Sequence, residues 1–285
     1  MSDMKKILII LSSVLLFQLA SAQAVPALLI PSDTRSMALG GVTMQPEADK
    51  LDVQAFYGMW APKTADNTMI GGNAFIRIGE KIGVTLEGRV FKDKPYELTT
   101  AQALPAGSSF SPMDLIVGAG ASYRLTEAFT VGAKARMVSS AIASDAKGSA
   151  FCGDLSVNYA KDFYSATVAM RNLGGRISYG GAAYSLPALA SLQGAVEPVK
   201  GLNVAAEADY LFAGSLMASL GLEYGIADIV FLRGGIHYCD AANGIPTHAS
   251  LGLGVQFAGV HLDAAFLTAS KTLRNSLMFT LGYSF

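Results

Sequence analysis

The side chains best able to do chemistry recur with a fixed spacing. Glu87 and Arg89, Lys134 and Arg136, Asp154, Arg171, Glu207 and Asp209, Glu223, Arg233, and Asp263 all occupy the polar positions of segments that alternate apolar and polar residues. Carboxylates and guanidiniums placed this way can pair as ions that stiffen a narrow interior, or line a conducting route. Catalysis would need a nucleophile beside a base, or two close carboxylates, and the sequence shows neither. His237 and His261 share the polar parity of their segments, and His248 lies near a segment edge. The expectation is a chain that is not an enzyme, with no catalytic residue, no metal and no cofactor. Glycine-rich runs such as Gly118-Ala119-Gly120 fall inside the alternating segments. There they let a sheet curve, or thin its inner wall, rather than cradle phosphate.

The elements that must position these charges have a period of two. Leu277, Phe279, Leu281, Tyr283 and Phe285 alternate with Ser276, Met278, Thr280, Gly282 and Ser284, and Leu251, Leu253, Val255 and Phe257 follow the same rule. Such alternation makes a strand with one apolar face. The segments run to about ten residues, the length of a tilted membrane strand, where sandwich strands are nearer six. Many apolar faces end in an aromatic, as at Tyr123, Tyr159, Tyr210, Tyr224 and Tyr283, which is the placement of an interfacial girdle.

We read about fourteen strands, near 51–60, 69–79, 82–92, 113–125, 128–138, 149–160, 163–172, 188–197, 201–212, 215–226, 229–239, 247–258, 260–268 and 275–285. Connections after even-numbered strands are tiny. Those after odd-numbered strands are mostly longer, notably 93–112, 139–148 and 173–187, with Ala213-Gly214 an exception. An even count with short periplasmic turns and long outer loops is the layout of a bacterial barrel. Cys152 and Cys239 fall on the sixth and eleventh strands, too far apart for disulfide geometry, so two free thiols are expected.

The N-terminal residues have the form of a secretory signal. Lys5 and Lys6 precede an apolar stretch over 7–20, and Ala20-Ser21-Ala22 supplies small residues for cleavage before Gln23. The stretch is short for a membrane helix of roughly 20 residues. Residues 1–22 are therefore read as a signal peptide, 23–50 as a periplasmic plug segment and 51–285 as the barrel. Mean hydropathy is +0.38 over the whole chain, yet no mature segment is apolar enough for a helical span. Lipid leaves no backbone group unpaired, so a closed barrel is the remaining way across. The near-neutral charge excludes nucleic acid as a partner.

Several segments resemble the PorV/PorQ family, a branch of the FadL-type outer-membrane barrels associated with type IX secretion. Pro31-Ser32-Asp33-Thr34-Arg35-Ser36-Met37-Ala38-Leu39-Gly40-Gly41-Val42 is similar to the family's opening signature. Gly153-Asp154-Leu155-Ser156-Val157-Asn158-Tyr159, then Val168-Ala169-Met170-Arg171-Asn172-Leu173-Gly174, resemble its paired middle strands. Leu220-Gly221-Leu222-Glu223-Tyr224, Leu232-Arg233-Gly234-Gly235-Ile236 and Leu251-Gly252-Leu253-Gly254 recur in its order. Two places depart from it: Trp60-Ala61-Pro62 stands where the family has Asn-Pro-Ala, and Asp263-Ala264-Ala265-Phe266 where it has Asp-Tyr-Ala-Tyr.

The expected fold is thus all-β, a transmembrane antiparallel FadL-like barrel in the bacterial outer membrane, with an N-terminal plug carrying Arg35, Leu39, Gly40 and Gly41. Expected partners are outer-membrane lipid and the barrel-assembly machinery, which would read Tyr283 and Phe285. Two functions stay open. One is a subunit that engages secretion components or exported cargo, which the resemblance implies. The other is a FadL-like route for a small hydrophobic ligand.

Overall fold

A computed structural model describes residues 23–44, 50–99, 105–240 and 243–285. The proposed signal peptide lies outside the described residues, as do residues 45–49 of the proposed plug. Among the described residues, fourteen antiparallel strands close into one barrel. They are β1 (Leu51–Trp60), β2 (Asn67–Ile78), β3 (Ile82–Lys92), β6 (Met113–Arg124), β7 (Phe129–Ala141), β8 (Lys147–Lys161) and β9 (Tyr164–Gly174), then β12 (Leu189–Val199), β13 (Leu202–Leu211), β14 (Ser215–Ile226), β15 (Val230–Cys239), β16 (His248–Phe257), β17 (Val260–Thr268) and β18 (Leu277–Ser284). Each strand pairs with its neighbour, and β1 closes on β18 from Asp52↔Ser284 to Met59↔Leu277. Two hairpins stand outside the wall: β4 (Tyr96–Thr99) with β5 (Pro105–Phe110), and β10 (Arg176–Tyr179) with β11 (Ala182–Ser185).

Alternation decides which side faces lipid. Leu192, Val168, Leu251, Leu281 and Phe151 point outward and are exposed, while their neighbours turn into the lumen. Tyr123, Phe129, Tyr164, Tyr224, Tyr283 and Phe285 ring one end of the outer wall, and Tyr210 and Tyr238 mark the other. A continuous apolar belt between aromatic girdles belongs in a membrane, and the chain is an outer-membrane barrel. No helix among the described residues is long and apolar enough to cross.

The end beside Leu51 and Phe285 carries turns of two to four residues and is the periplasmic end. Several of these turns place residues in the left-handed region, including Ala227 (φ 54°) with Asp228 (φ 55°) and Ala258 (φ 50°) with Gly259 (φ 82°). Two successive positive φ values match the twist of flanking antiparallel strands. The outer loops are longer, apart from 212–214. The expected loop at 139–148 shrinks to 142–146, because β7 and β8 continue their pairing to Ala141↔Lys147.

Inside the barrel runs the N-terminal segment. Pro26–Leu29 forms one 3-10 turn, and a short helix, α1 (Thr34–Ala38), follows. Asp33 caps α1 by accepting the Ser36 N–H at 2.7 Å.

Candidate functional site

The lumen divides into two stacked regions. In the outer half, the wall turns apolar side chains inward. Ile30, Met37 and Ala38 of the N-terminal segment pack against Phe56, Met69, Leu267 and Met278, with Trp60 beside them. Ala24, Val25, Ala27 and Leu28 form a second cluster with Ile116, Val138, Cys152, Ile177 and Leu186. Ile177 lies on β10, so the β10–β11 hairpin folds inward to join this cluster. Gln23 bridges to Ser185, and the Ala24 N–H donates to the Ser185 carbonyl at 3.0 Å.

Three glycines on adjacent strands seat the end of α1. A Cβ at Gly221 would come within 2.7 Å of the Leu39 carbonyl oxygen, one at Gly235 would collide with the Leu39–Gly40 peptide, and one at Gly252 with the Ala38 side chain. Ser250 completes the seat, donating to the Ala38 carbonyl at 2.7 Å and accepting the Gly40 N–H at 2.9 Å. Gly40 (φ 74°) and Gly41 (φ 93°) supply the left-handed turn that ends the helix. Leu39 is buried, in one cluster with Val42 and Ala205.

In the periplasmic half the lumen holds a cavity of about 510 Å³ rich in charged groups, lined by both wall and N-terminal residues, among them Arg35, Asp52, Glu87, Lys134, Asp154, Arg171, Glu223, Arg233, His261 and Asp263. Ion pairs tie its sides. Arg35 reaches both oxygens of Glu223 (2.6 and 2.9 Å), and Arg233 Nε donates to Glu223 Oε2 at 2.5 Å. Arg233 also pairs with Asp263. Glu87 accepts from Lys134 at 2.9 Å and from Arg136, which in turn reaches Asp154 at 2.6 Å. Arg171 spans β12 to reach Glu207 on β13 at 2.6 Å, with Asp209 at 4.0 Å. Glu207 also holds the N-terminal segment, accepting the Thr43 N–H at 2.5 Å.

The structure thus brings together most of the residues singled out from sequence, but not always as adjacent-strand pairs. Glu223 and Arg233 do pair. Asp154 and Arg171 form no ion pair with each other; a bulge between Gly153 and Leu155 shifts the β8–β9 register. Asp154 instead takes Arg136 and the Asn172 N–H (2.8 Å). Arg89 stands apart: buried near the apolar half, it donates to the Ile30 carbonyl at 2.7 Å, and its Nε has no hydrogen-bond partner among the described residues. Asp52 and His261 also join these charges, His261 lying 3.2 Å from both Asp52 and Asp263, although the sequence pattern places neither in the charge network. Their shared polar parity near the two ends of the barrel sequence was the available signal, but only closure of β1 on β18 makes them neighbours. Gly118 and Gly120 make room for the inner side chains of Arg136, Glu87 and Lys134. Cys152 and Cys239 form no disulfide. Tyr283 and Phe285 sit exposed at the periplasmic rim, with the Lys50 ammonium 5.0 Å from the Phe285 ring centre.

No family model matches the sequence. No curated protein matches it either. Among solved structures, the chain is similar to a FadL homologue of Pseudomonas aeruginosa, at 13% identity and a TM-score of 0.61 over 90% of this chain and 99% of that one. It is also similar to the toluene transporter TodX of Pseudomonas putida (13%, 0.57, 93% and 98%). A monoaromatic hydrocarbon channel, CymD, follows (14%, 0.56, 94% and 99%). The fold is that of the FadL-type outer-membrane channels.

Proposed function

We propose that this barrel is a passive outer-membrane channel for small hydrophobic molecules, closed at rest by its N-terminal segment. The observation that carries the reading is the apolar inner wall of the outer half, where Phe56, Met69, Leu267 and Met278 face the lumen. A pore for hydrated solutes lines its lumen with polar groups, whereas here two apolar clusters fill much of the outer half. Fold likeness to channels described as carrying toluene or monoaromatic hydrocarbons supports the same reading. Substrate would take the place of Ile30 and Met37 against that wall when the segment shifts.

Trp60 is the one tryptophan of the chain and lies in this cluster. Titrating the detergent-solubilised barrel with toluene or a longer alkane should shift Trp60 emission saturably, and a hydrophilic sugar should not. Emission unmoved by any apolar probe, with no uptake defect on deletion of the gene, would sink the proposal.

The motif resemblance favours a second reading, a subunit engaging secretion components or exported cargo. Mild-detergent isolation of the native barrel, with protein and lipid mass spectrometry on one eluate, separates the two. A stoichiometric protein partner supports the second reading, and a lone barrel carrying an apolar molecule the first.

A further inference from the structure

The charged groups of the vestibule include one unbroken run of alternating sign. It starts at Arg35 on α1 and passes through Glu223 on β14, Arg233 on β15 and Asp263 on β17. From there His261 Nδ1 lies 3.2 Å from Asp263 Oδ2, and His261 Nε2 lies 3.2 Å from Asp52 Oδ2 on β1. The same Asp52 oxygen accepts the Ser284 hydroxyl of β18 at 2.6 Å. Both ring nitrogens of His261 therefore face carboxylate oxygens. A neutral imidazole has one N–H and one lone pair, so only the doubly protonated ring donates to both. Only then does the run balance, with Arg35, Arg233 and His261 against Glu223, Asp263 and Asp52.

We propose that His261 is a proton-operated clasp: doubly protonated it ties β17 to β1 across β18 and completes the run that holds Arg35, and its deprotonation loosens the N-terminal segment. The proposal rests on the reading that this segment closes the lumen. The other groups facing the clasp are Gln256, paired in register on β16, Gln54 beside Gly282, and Asp33 on the approach to α1. Asp33 alone of these carries charge, and its sign adds to the excess left when the ring is neutral. The proton leaves to the cavity, which the ring lines. One carboxylate then faces a lone pair, and Arg233, shared between Asp263 and Glu223, is drawn toward Asp263 and away from the group that grips Arg35.

The test is single-channel conductance of the full barrel in planar bilayers from about pH 5 to about pH 10, with ring-nitrogen NMR over the same range. Wild type should rise roughly tenfold in conductance toward alkaline pH, the scale of one lost charge-assisted hydrogen bond. His261→Asn should conduct at every pH, and His261→Arg, which keeps the charge, should stay closed. Heat modifiability checks that each variant is folded. A His261→Asn barrel that tracks wild type, a His261→Arg barrel that opens with it, or conductance rising while the ring stays doubly protonated would overturn the clasp. Deleting residues 24–44 tests the underlying reading separately: a deleted barrel that conducts no more than wild type at acid pH removes the closing role, whatever His261 does.

Discussion

The two halves of the lumen are built from the same strands, yet they are held together in opposite ways. Above, Leu267, Met278 and Ile116 are fully buried and the N-terminal segment packs against them. Below, the wall presents Glu223, Arg233 and Asp263 to a cavity large enough for water. β17 shows the change within one element: Leu267 and Ala265 face the apolar cluster, and Asp263 and His261 face the vestibule. Position along the strand, not strand identity, sets the chemistry. The outer wall shows no such division, because lipid demands an apolar face throughout.

The largest perturbation breaks both halves together. Deleting β18 leaves β1 and β17 with unpaired edges, and it removes Thr280 and Ser284, whose hydroxyls bond Thr34 and Asp52. Insertion should be abolished, since an open edge has no place in hydrocarbon. The expected readout is loss of the heat-modifiable band in outer-membrane fractions. Normal, heat-modifiable protein after this deletion would refute both the seam and the proposed recognition of Tyr283 and Phe285 by assembly machinery.

The halves can then be set against each other by single substitutions. Glu223→Ala leaves Arg35 and Arg233 without the carboxylate they share, and should cost about 3–5 kcal/mol in detergent unfolding. Leu267→Ala leaves a dry cavity and should cost about 2–5 kcal/mol. Salt sharpens the contrast, since it should change the first cost and not the second. A Glu223→Ala loss under about 1 kcal/mol would mean that vestibule water alone solvates both guanidiniums.

How much of this was legible follows the same division. All fourteen barrel strands lie within three residues of their expected ends, because lipid on one face and lumen on the other impose a strict period of two. The β4–β5 and β10–β11 hairpins were not foreseen within loops 93–112 and 173–187. Strands such as Arg176–Tyr179 are only four residues long, and Ile177 is buried by tertiary contact with Ile116 and Val25, which no local pattern announces. Charges could be placed on the inner face by parity. Their partners could not, because side chains such as Arg171 reach across an intervening strand and Arg35 reaches from a segment outside the sheet. Glycine runs inside strands read as curving the sheet or thinning its inner wall, and Gly221, Gly235 and Gly252 became a docking surface only once Leu39 and Gly40 lay against them.

That seat gives the next test. Gly235→Ala has no room for its methyl unless residues 39–40 withdraw, an overpacking cost of about 1–3 kcal/mol. The barrel wall itself should persist. Heat modifiability should therefore be unchanged while conductance rises and Trp60 emission moves toward that of a hydrated indole. Unchanged emission and conductance would show that the segment adapts without leaving the wall, and that the outer half closes by some contact other than this seat.

The smallest effect concerns the border between the halves, where Asp33 caps α1. Burial raises its carboxyl above the ordinary value, outweighing the lowering by its hydrogen bonds to Ser36 and by the Arg35 charge. A carboxyl raised in the folded state contributes stability that is complete below its ordinary value near about 4 and is lost as pH rises through the raised one. Asp33 should therefore hold α1 better in mild acid than at neutral pH, opposite in sign to an ion-paired carboxylate. Asn caps a helix about as well as Asp and carries no charge. Asp33→Asn should leave the acid-side stability unchanged and raise the neutral stability slightly, by less than about 1 kcal/mol, read as a small rise in the neutral melting temperature. A lower neutral melting temperature for the variant would mean that attraction to Arg35 outweighs burial, and that the charged region reaches one turn further into the N-terminal segment than its packing shows.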